Sequence, residues 1–296
     1  APALLALPAI ARAAPPFRVA YAGSMGKLME SAIGPAFAKQ EKRAWQGIGQ
    51  GAIALARLLA GKQMIADVFI PITAGPFEIV RKSGLAHQAV PVASTQMCIA
   101  YSPKSRFAAD FAAAAAGHKS WLDVLASPGL RFGRTDPRTD PQGRNILFAL
   151  RLAEIYYKRP GFAAKLLGPA LNPKQIFTEA SLLSRLEAGQ IDASSGYLSA
   201  VHSHKLPFVA LPKEVNLGDP TMTKPWYSRA RMAVPGPHGT TVTASPQPLE
   251  FYAVAMENAP EPKAAADFVA FLRGPEAQRM FAAYGYSPPT GPILGS

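Results

Sequence analysis

Between residues 17 and 84 an apolar, strand-like run gives way to a helical pattern three times in succession, and few folds accommodate that order. Phe17-Arg18-Val19-Ala20-Tyr21-Ala22 stops at Gly23-Ser24, and Met25, Leu28, Met29, Ile33 and Phe37 then recur at helical spacing. Arg43-Ala44-Trp45-Gln46 reads as a second strand, with Gly47, Gly49 and Gly51 as a flexible turn before a helix over residues 52–60 that Gly61 stops. Residues 66–71 read as a buried strand ended by a proline, and residues 75–83 as a helix closed by Gly84. Strand–helix units in series require a parallel sheet with right-handed crossovers, so the predicted fold class is α/β.

A second unit follows. Residues 90–93 and 97–101 are strand-like, residues 107–116 and 121–125 helical, and residues 130–133 a short strand. The loop 134–144 leads into a long helix over residues 145–157, with shorter helices at 162–167 and 181–187. A strand at 190–197 and another at 208–212 complete the unit. Beyond it, residues 226–234 and 250–255 are strand-like, residues 235–248 a turn-rich connection, and residues 262–272 and 275–283 helices. Nothing there starts a third domain, so the economical arrangement returns these elements to the first lobe. That predicts two lobes around a cleft: lobe 1 from residues 17–96 and 212–296, lobe 2 from residues 97–211.

The opening Leu4 to Ala13 has the short apolar core and small-x-small pattern of a secretory signal, so residues 1–16 are expected to be a signal remnant and the mature chain exported and soluble, in the periplasm. An ordinary Ala/Pro-rich terminus is the competing reading. One cysteine, Cys98, excludes an intrachain disulfide and a cysteine-rich metal site. The net charge of +12, from 31 Lys+Arg against 19 Asp+Glu, favours anionic partners. No basic run exceeds two residues and aromatics do not interleave with the basic ones, which argues against nucleic acid.

Small polar residues stand just after strands at three places: Gly23-Ser24, Thr135-Asp136 with Gln142-Gly143, and Ser194-Ser195-Gly196-Tyr197. Ligands of open α/β sheets collect at such strand ends. Helix-start N–H groups and hydroxyls from opposite lobes suit a tetrahedral oxyanion. Arg134 and Arg144 are either added charge or solvated loop arginines, Asp136 and Asp140 either turn-makers or ligand contacts, and Tyr197 either a donor to the anion or a core aromatic. No nucleophile elbow, zinc signature or phosphate loop occurs, so no catalytic, metal or cofactor residue is assigned. Gly47-x-Gly49-x-Gly51 lacks the later glycine of a dinucleotide fingerprint, and His202 and His204 have no third ligand nearby. An enzyme of the same bilobal form, handling a phosphate-bearing substrate, would have only Asp136, Asp140 or a distant glutamate as its acid or base.

Tyr21-Ala22-Gly23-Ser24-Met25, Ala66-Asp67-Val68, Arg131-Phe132-Gly133 with Asp136-Pro137 and Asp140-Pro141-Gln142-Gly143-Arg144, Gly189-Gln190-Ile191-Asp192 and Leu211-Pro212-x-Glu214-x-Asn216-Leu217-Gly218-Asp219 occur in that order. In these the chain resembles the periplasmic molybdate- and tungstate-binding proteins of ABC importers, in particular their tungstate-binding branch. The resemblance implies a type II, Venus-flytrap fold and a monomer that closes on a small anionic ligand and presents it to an ABC-type membrane permease. It implies that Ser24 gives its hydroxyl and N–H to the oxyanion, that the Asp140 loop adds a contact, and that Tyr197 faces the cleft. The candidate ligand-binding residues are Gly23, Ser24, Gly49, Gln50, Thr135, Asp136, Asp140, Arg144, Ser194, Ser195, Gly196 and Tyr197. Two departures stand out. Gln50 replaces the serine that follows Gly49 in the family, and Gly196 replaces the metal-ligating glutamate before the tyrosine. The second argues against a six-coordinate centre with two protein carboxylates and leaves sulfate, phosphate or a small organic carboxylate as alternatives to molybdate or tungstate.

Overall fold

The structure is a computed structural model that describes residues 15–236 and 239–295. Of the expected signal remnant only Pro15 and Pro16 are among them; the apolar part lies outside the described residues.

Two sheets organise the chain. The first contains β1 (Phe17–Ala22), β2 (Trp45–Gln50), β3 (Val68–Ile70), β4 (Val90–Ser94) and β11 (Glu250–Ala255), in the order β2-β1-β3-β11-β4. Strands β2, β1 and β3 are parallel, as serial strand–helix units demand, and β11 inserts antiparallel between β3 and β4. The second sheet contains β5 (Met97–Tyr101), β6 (Phe132–Gly133), β7 (Ala193–Tyr197) and β8 (Phe208–Ala210), in the order β6-β7-β5-β8. A separate hairpin joins β9 (Met232–Pro235) to β10 (Thr241–Ala244), so part of the expected turn-rich connection is strand.

Helices follow the strands. A 3-10 turn Gly23–Met25, α1 (Gly26–Leu28), a π turn Met29–Ile33 and α2 (Gly34–Glu41) form one bent rod after β1. The π turn sits just ahead of Pro35, whose ring crowds the preceding turn and which has no N–H to donate; a wider turn relieves both. Then come α3 (Ala52–Ala60), α4 (Ala74–Lys82), α5 (Ala108–Ala115), α6 (Trp121–Leu125), α7 (Pro141–Tyr156), α8 (Phe162–Leu167), α9 (Glu179–Ala188), α10 (Leu198–Ser203), α11 (Pro262–Arg273) and α12 (Pro275–Ala283). The long helix α7 starts four residues earlier than its apolar spacing suggests, because Asp140 caps it and Pro141 fits its first turn.

The glycines after Trp45 form an edge strand rather than a turn. Tyr21 on β1 lays its ring across them: a Cβ on Gly47 would lie 2.9 Å from Tyr21 Cε1, and one on Gly49 2.6 Å from Cε2. Tyr21 is held there by a 2.6 Å hydrogen bond to Glu30. Two aspartates of the sequence motifs tie the sheets to their surroundings. Buried Asp67 accepts from the N–H groups of Arg18 and Glu261, and Asp192 from Ser105 Oγ and Arg131 N. The main core includes Phe17, Phe37 and Phe268, whose ring centroids lie 4.7–5.4 Å apart. The chain passes between the sheets at residues 95–96 and near residues 211–217. These passages are bonded to each other, Met97 N to Asn216 O at 2.7 Å and Asn216 Nδ2 to Gln96 Oε1 at 2.9 Å.

Candidate functional site

Ser24 lies inside the 3-10 turn that follows β1, with Ala22 at the N-cap. It therefore occupies the first turn and does not cap it. Its hydroxyl is buried and has no hydrogen-bond partner among the described residues. Its carbonyl accepts from Tyr286 Oη at 3.2 Å. This is the contribution of the five-stranded sheet.

The four-stranded sheet contributes α7, β7 and α9. Asp140 caps α7 by accepting the Gln142 N–H at 2.9 Å. The Gln142 side chain then bridges outward: Nε2 donates to Glu179 Oε1 at 2.9 Å, and Oε1 accepts from Ser195 Oγ at 3.0 Å. One helical turn on, Asn145 Nδ2 donates to Tyr197 Oη at 2.9 Å. Ser24, Asp140, Gln142, Asn145, Glu179, Ser195 and Tyr197 are all buried.

The electrostatics of this cluster are governed by two carboxyl groups that pair with no cation among the described residues. Burial pushes Asp140 up to about 6, opposed by the Gln142 N–H and the Thr135 hydroxyl and assisted by the charge of Asp136. Burial, then the charge of Asp140, raises Glu179 well above the ordinary carboxyl range, while Gln142 and the Ser24 N–H pull the other way. Tyr197 is raised by burial and then by both carboxylates. Burial thus favours the neutral form of both carboxyls, which carries an O–H donor.

The sequence-predicted residues divide clearly. Gly23, Ser24, Thr135, Asp140, Ser195 and Tyr197 gather around the cluster; a Cβ on Gly23 would lie 3.3 Å from Glu179 Oε2. Strand alternation turns Ser194 and Gly196 to the opposite face of β7, where a Cβ on Gly196 would meet Val201 and Cys98. Gly49 is spent on the Tyr21 ring, and Gln50 is exposed at the end of β2. Asp136 faces Arg138, whose hydrogen bonds hold it below the usual carboxylate range although burial acts in the other direction. Arg144 donates to the carbonyls of Pro137 and Pro235. Arg134 is fully buried and donates to the carbonyls of Pro169 and Ala170, so it is a structural cation.

Asn145, Glu179 and Tyr286 belong to the cluster and were not singled out. A glutamate in the first turn of a helix is unremarkable by itself, since it complements the helix dipole anywhere. Among the described residues no group of three or more His, Cys, Asp or Glu is placed to hold a metal ion.

The interlobe contact is tight beside this cluster. Ala54 N, in the first turn of α3, donates to Thr139 O at 3.0 Å, and Arg57 Nη1 donates to Arg138 O at 3.2 Å. A Cβ on Gly51 would lie 2.5 Å from Thr139 O.

Comparison with known proteins adds the following. The family described as bacterial extracellular solute-binding protein matches residues 17–287. An uncharacterised solute-binding protein of Petrotoga mobilis is 30% identical over 204 residues, 67% of this chain and 61% of its own. The molybdate/tungstate-binding protein WtpA of Thermococcus kodakarensis is 27% identical over 209 residues, 64% of this chain and 57% of its own. The chain thus spans about three-fifths of the length of these relatives. Among solved structures, the periplasmic molybdate-binding protein of Azotobacter vinelandii has a TM-score of 0.63 at 17% identity, covering 93% of this chain and 100% of its own. That likeness shows a common two-domain α/β fold.

Proposed function

The chain belongs to the bacterial extracellular solute-binding protein family, and from that premise we propose that it is the periplasmic component of an ABC importer that carries a small oxyanion, molybdate or tungstate, between its two domains. The observation that carries the reading is the buried Ser24 hydroxyl, unpaired among the described residues, in a turn whose Gly23 and Ser24 N–H lie against Glu179, which is itself bonded to the Gln142–Ser195 pair of the other sheet. Those groups are neutral donors set in a water-poor cleft, which suits an anion whose charge is spread over four oxygens. The names of the relatives in Thermococcus and Azotobacter support the choice of molybdate or tungstate. No step of catalysis is required of any residue: the chain is a binding protein.

Asp140 and Glu179 fit the reading when they are protonated. A neutral carboxyl donates its O–H to an oxyanion, whereas a carboxylate repels it. Each hydrogen bond to an ionised oxygen is worth about 1.5–3 kcal/mol. The permease is the partner that would receive the loaded form.

Calorimetry of the purified protein with molybdate, tungstate, sulfate and phosphate tests the reading. Molybdate or tungstate should bind best, and Ser24→Ala should weaken the binding about tenfold, the worth of about 1.4 kcal/mol. Absence of binding by every oxyanion would sink it. The carboxyl pair favours phosphate as a second reading, because hydrogen phosphate brings its own proton to a carboxylate and molybdate does not. That reading predicts tighter binding of phosphate than of molybdate at pH 8.

A further inference from the structure

Beyond the buried cluster, on the other side of Asn145, the cleft widens into a cavity of about 850 Å³. Its chemistry is the reverse of the inner site. Arg57, Lys82 and Arg144 line it, and none of the described lining residues is an aspartate or glutamate. Ile79 and Phe148 give it an apolar wall.

The three cations come from both halves of the molecule: Arg57 on α3 and Lys82 on α4, beside the five-stranded sheet, and Arg144 on α7, beside the four-stranded one. Among the described residues none of the three forms an ion pair. Arg57 and Arg144 are half-buried and satisfy part of their donors on main-chain carbonyls alone. Burial and then the charge of Arg57 lower Arg144, so the two guanidinium groups, held on the adjacent carbonyls of Arg138 and Pro137, repel. Half-buried like charges set side by side call for a counter-charge.

The wall opposite is unusual in its backbone. Thr73, a β-branched residue, holds φ 66° and ψ 160° at the head of α4, with no side-chain capping bond. Its N–H is fixed to Glu250 O at 2.8 Å. This aims the start of α4 at the cavity, which Thr73, Gly75 and Pro76 also line. Strained residues of this kind persist where a ligand site needs them.

We infer that this outer cavity is a second anion site, in which Arg57, Lys82 and Arg144 hold the carboxylates of a small organic polyacid and Ile79 and Phe148 cover its hydrocarbon frame. The volume is in the range of pockets for small organic molecules and is far larger than a bare oxyanion needs. Three separate cations match several anionic groups on one frame better than one compact ion. The inference takes the cleft between the domains from the reading above but not the identity of the inner ligand. Occupancy would tie Arg57 and Lys82 to Arg144 across the cleft and so favour the closed arrangement.

Calorimetry of the full chain with citrate, succinate, inorganic phosphate and sulfate, each with and without saturating molybdate, tests it. Citrate is expected to bind, more tightly than succinate, and to bind at least as tightly with molybdate present, since both favour closure. Arg57→Gln and Arg144→Gln should each weaken citrate about tenfold. Lys82→Gln, at an exposed helix end where misfolding is no concern, should weaken it severalfold and leave molybdate binding unchanged. Should molybdate fail to bind at all, the citrate titration and its three variants still decide the matter. The inference is overturned if neither acid binds, if phosphate or sulfate binds as tightly as citrate, if citrate merely displaces molybdate, or if the three variants leave citrate unchanged.

Discussion

Glu179 concentrates the residue-scale physics of this protein. It is buried and raised by burial and by Asp140, and it takes the Gln142 side-chain amide. A carboxyl whose pKa is higher folded than unfolded stabilises the fold below its unfolded value, about 4, and that contribution fades as pH rises through the folded value. For Asp140 the fading is complete at about 6, and for Glu179 it extends further up. Ligand-free protein should therefore lose stability, on the order of 2 kcal/mol, as pH rises from about 4 to about 6, with Glu179 adding to the fall above that. Glu179→Gln should flatten that fall and raise the melting temperature at pH 7.5; thermal melts across a pH series check both. Oxyanion affinity should weaken over the same interval, with proton uptake visible as a dependence of the binding heat on buffer. The sequence made Ser24, Asp140 and Tyr197 legible, because a polar residue after a strand is a local signal. Glu179 was illegible because its meaning depends on α9 being packed against the turn that carries Ser24, a contact between residues far apart in the chain. Ser194 and Gly196 show the converse: proximity in sequence to Ser195 and Tyr197 says nothing of which face of the strand they take.

At the scale of elements, the order of strands and helices in the first 84 residues was readable from periodicity, and the parallel trio β2-β1-β3 follows from it. Boundaries were less readable where glycine dominates. Gly47 and Gly49 look like a turn because glycine weakens strands, yet they are the one residue type that lets the Tyr21 ring lie flat on β2. The hairpin β9–β10 was hidden for a related reason, since its exposed strand Thr241–Ala244 shows no buried face to betray it. The rod after β1 offers a sharp test. A Cβ on Gly34 would stand 2.4 Å from Trp45 Cε2 and 2.7 Å from Met29 O. Gly34→Ala, normally favourable in a helix, should instead destabilise the protein by about 1–3 kcal/mol in denaturant titrations. A stability equal to or above that of the parent would show that Trp45 and the π turn yield freely.

For the whole molecule, the decisive contact is the one between Gly51 and the Thr139 carbonyl. A methyl group at residue 51 has no room unless the Asp140 loop withdraws, and the loop carries half of the inner site with it. Gly51→Ala should therefore reduce oxyanion affinity at least tenfold while the protein stays folded, and small-angle scattering in the presence of ligand should report a larger radius of gyration than for the parent. An unchanged affinity would show that the site does not need the two domains pressed together there.

The short passage at residues 95–96 and the start of the long return from β8 to β11 are hydrogen-bonded to each other through Asn216, Gln96 and Met97. Such a joint is expected to let the halves swing about it, like a door hung on a single pin. A pair of fluorophores, one on the outer face of α8 and the other on α12, would ride on opposite leaves of that door. Their energy transfer would turn solute arrival into an optical signal, making the protein a ready scaffold for a sensor.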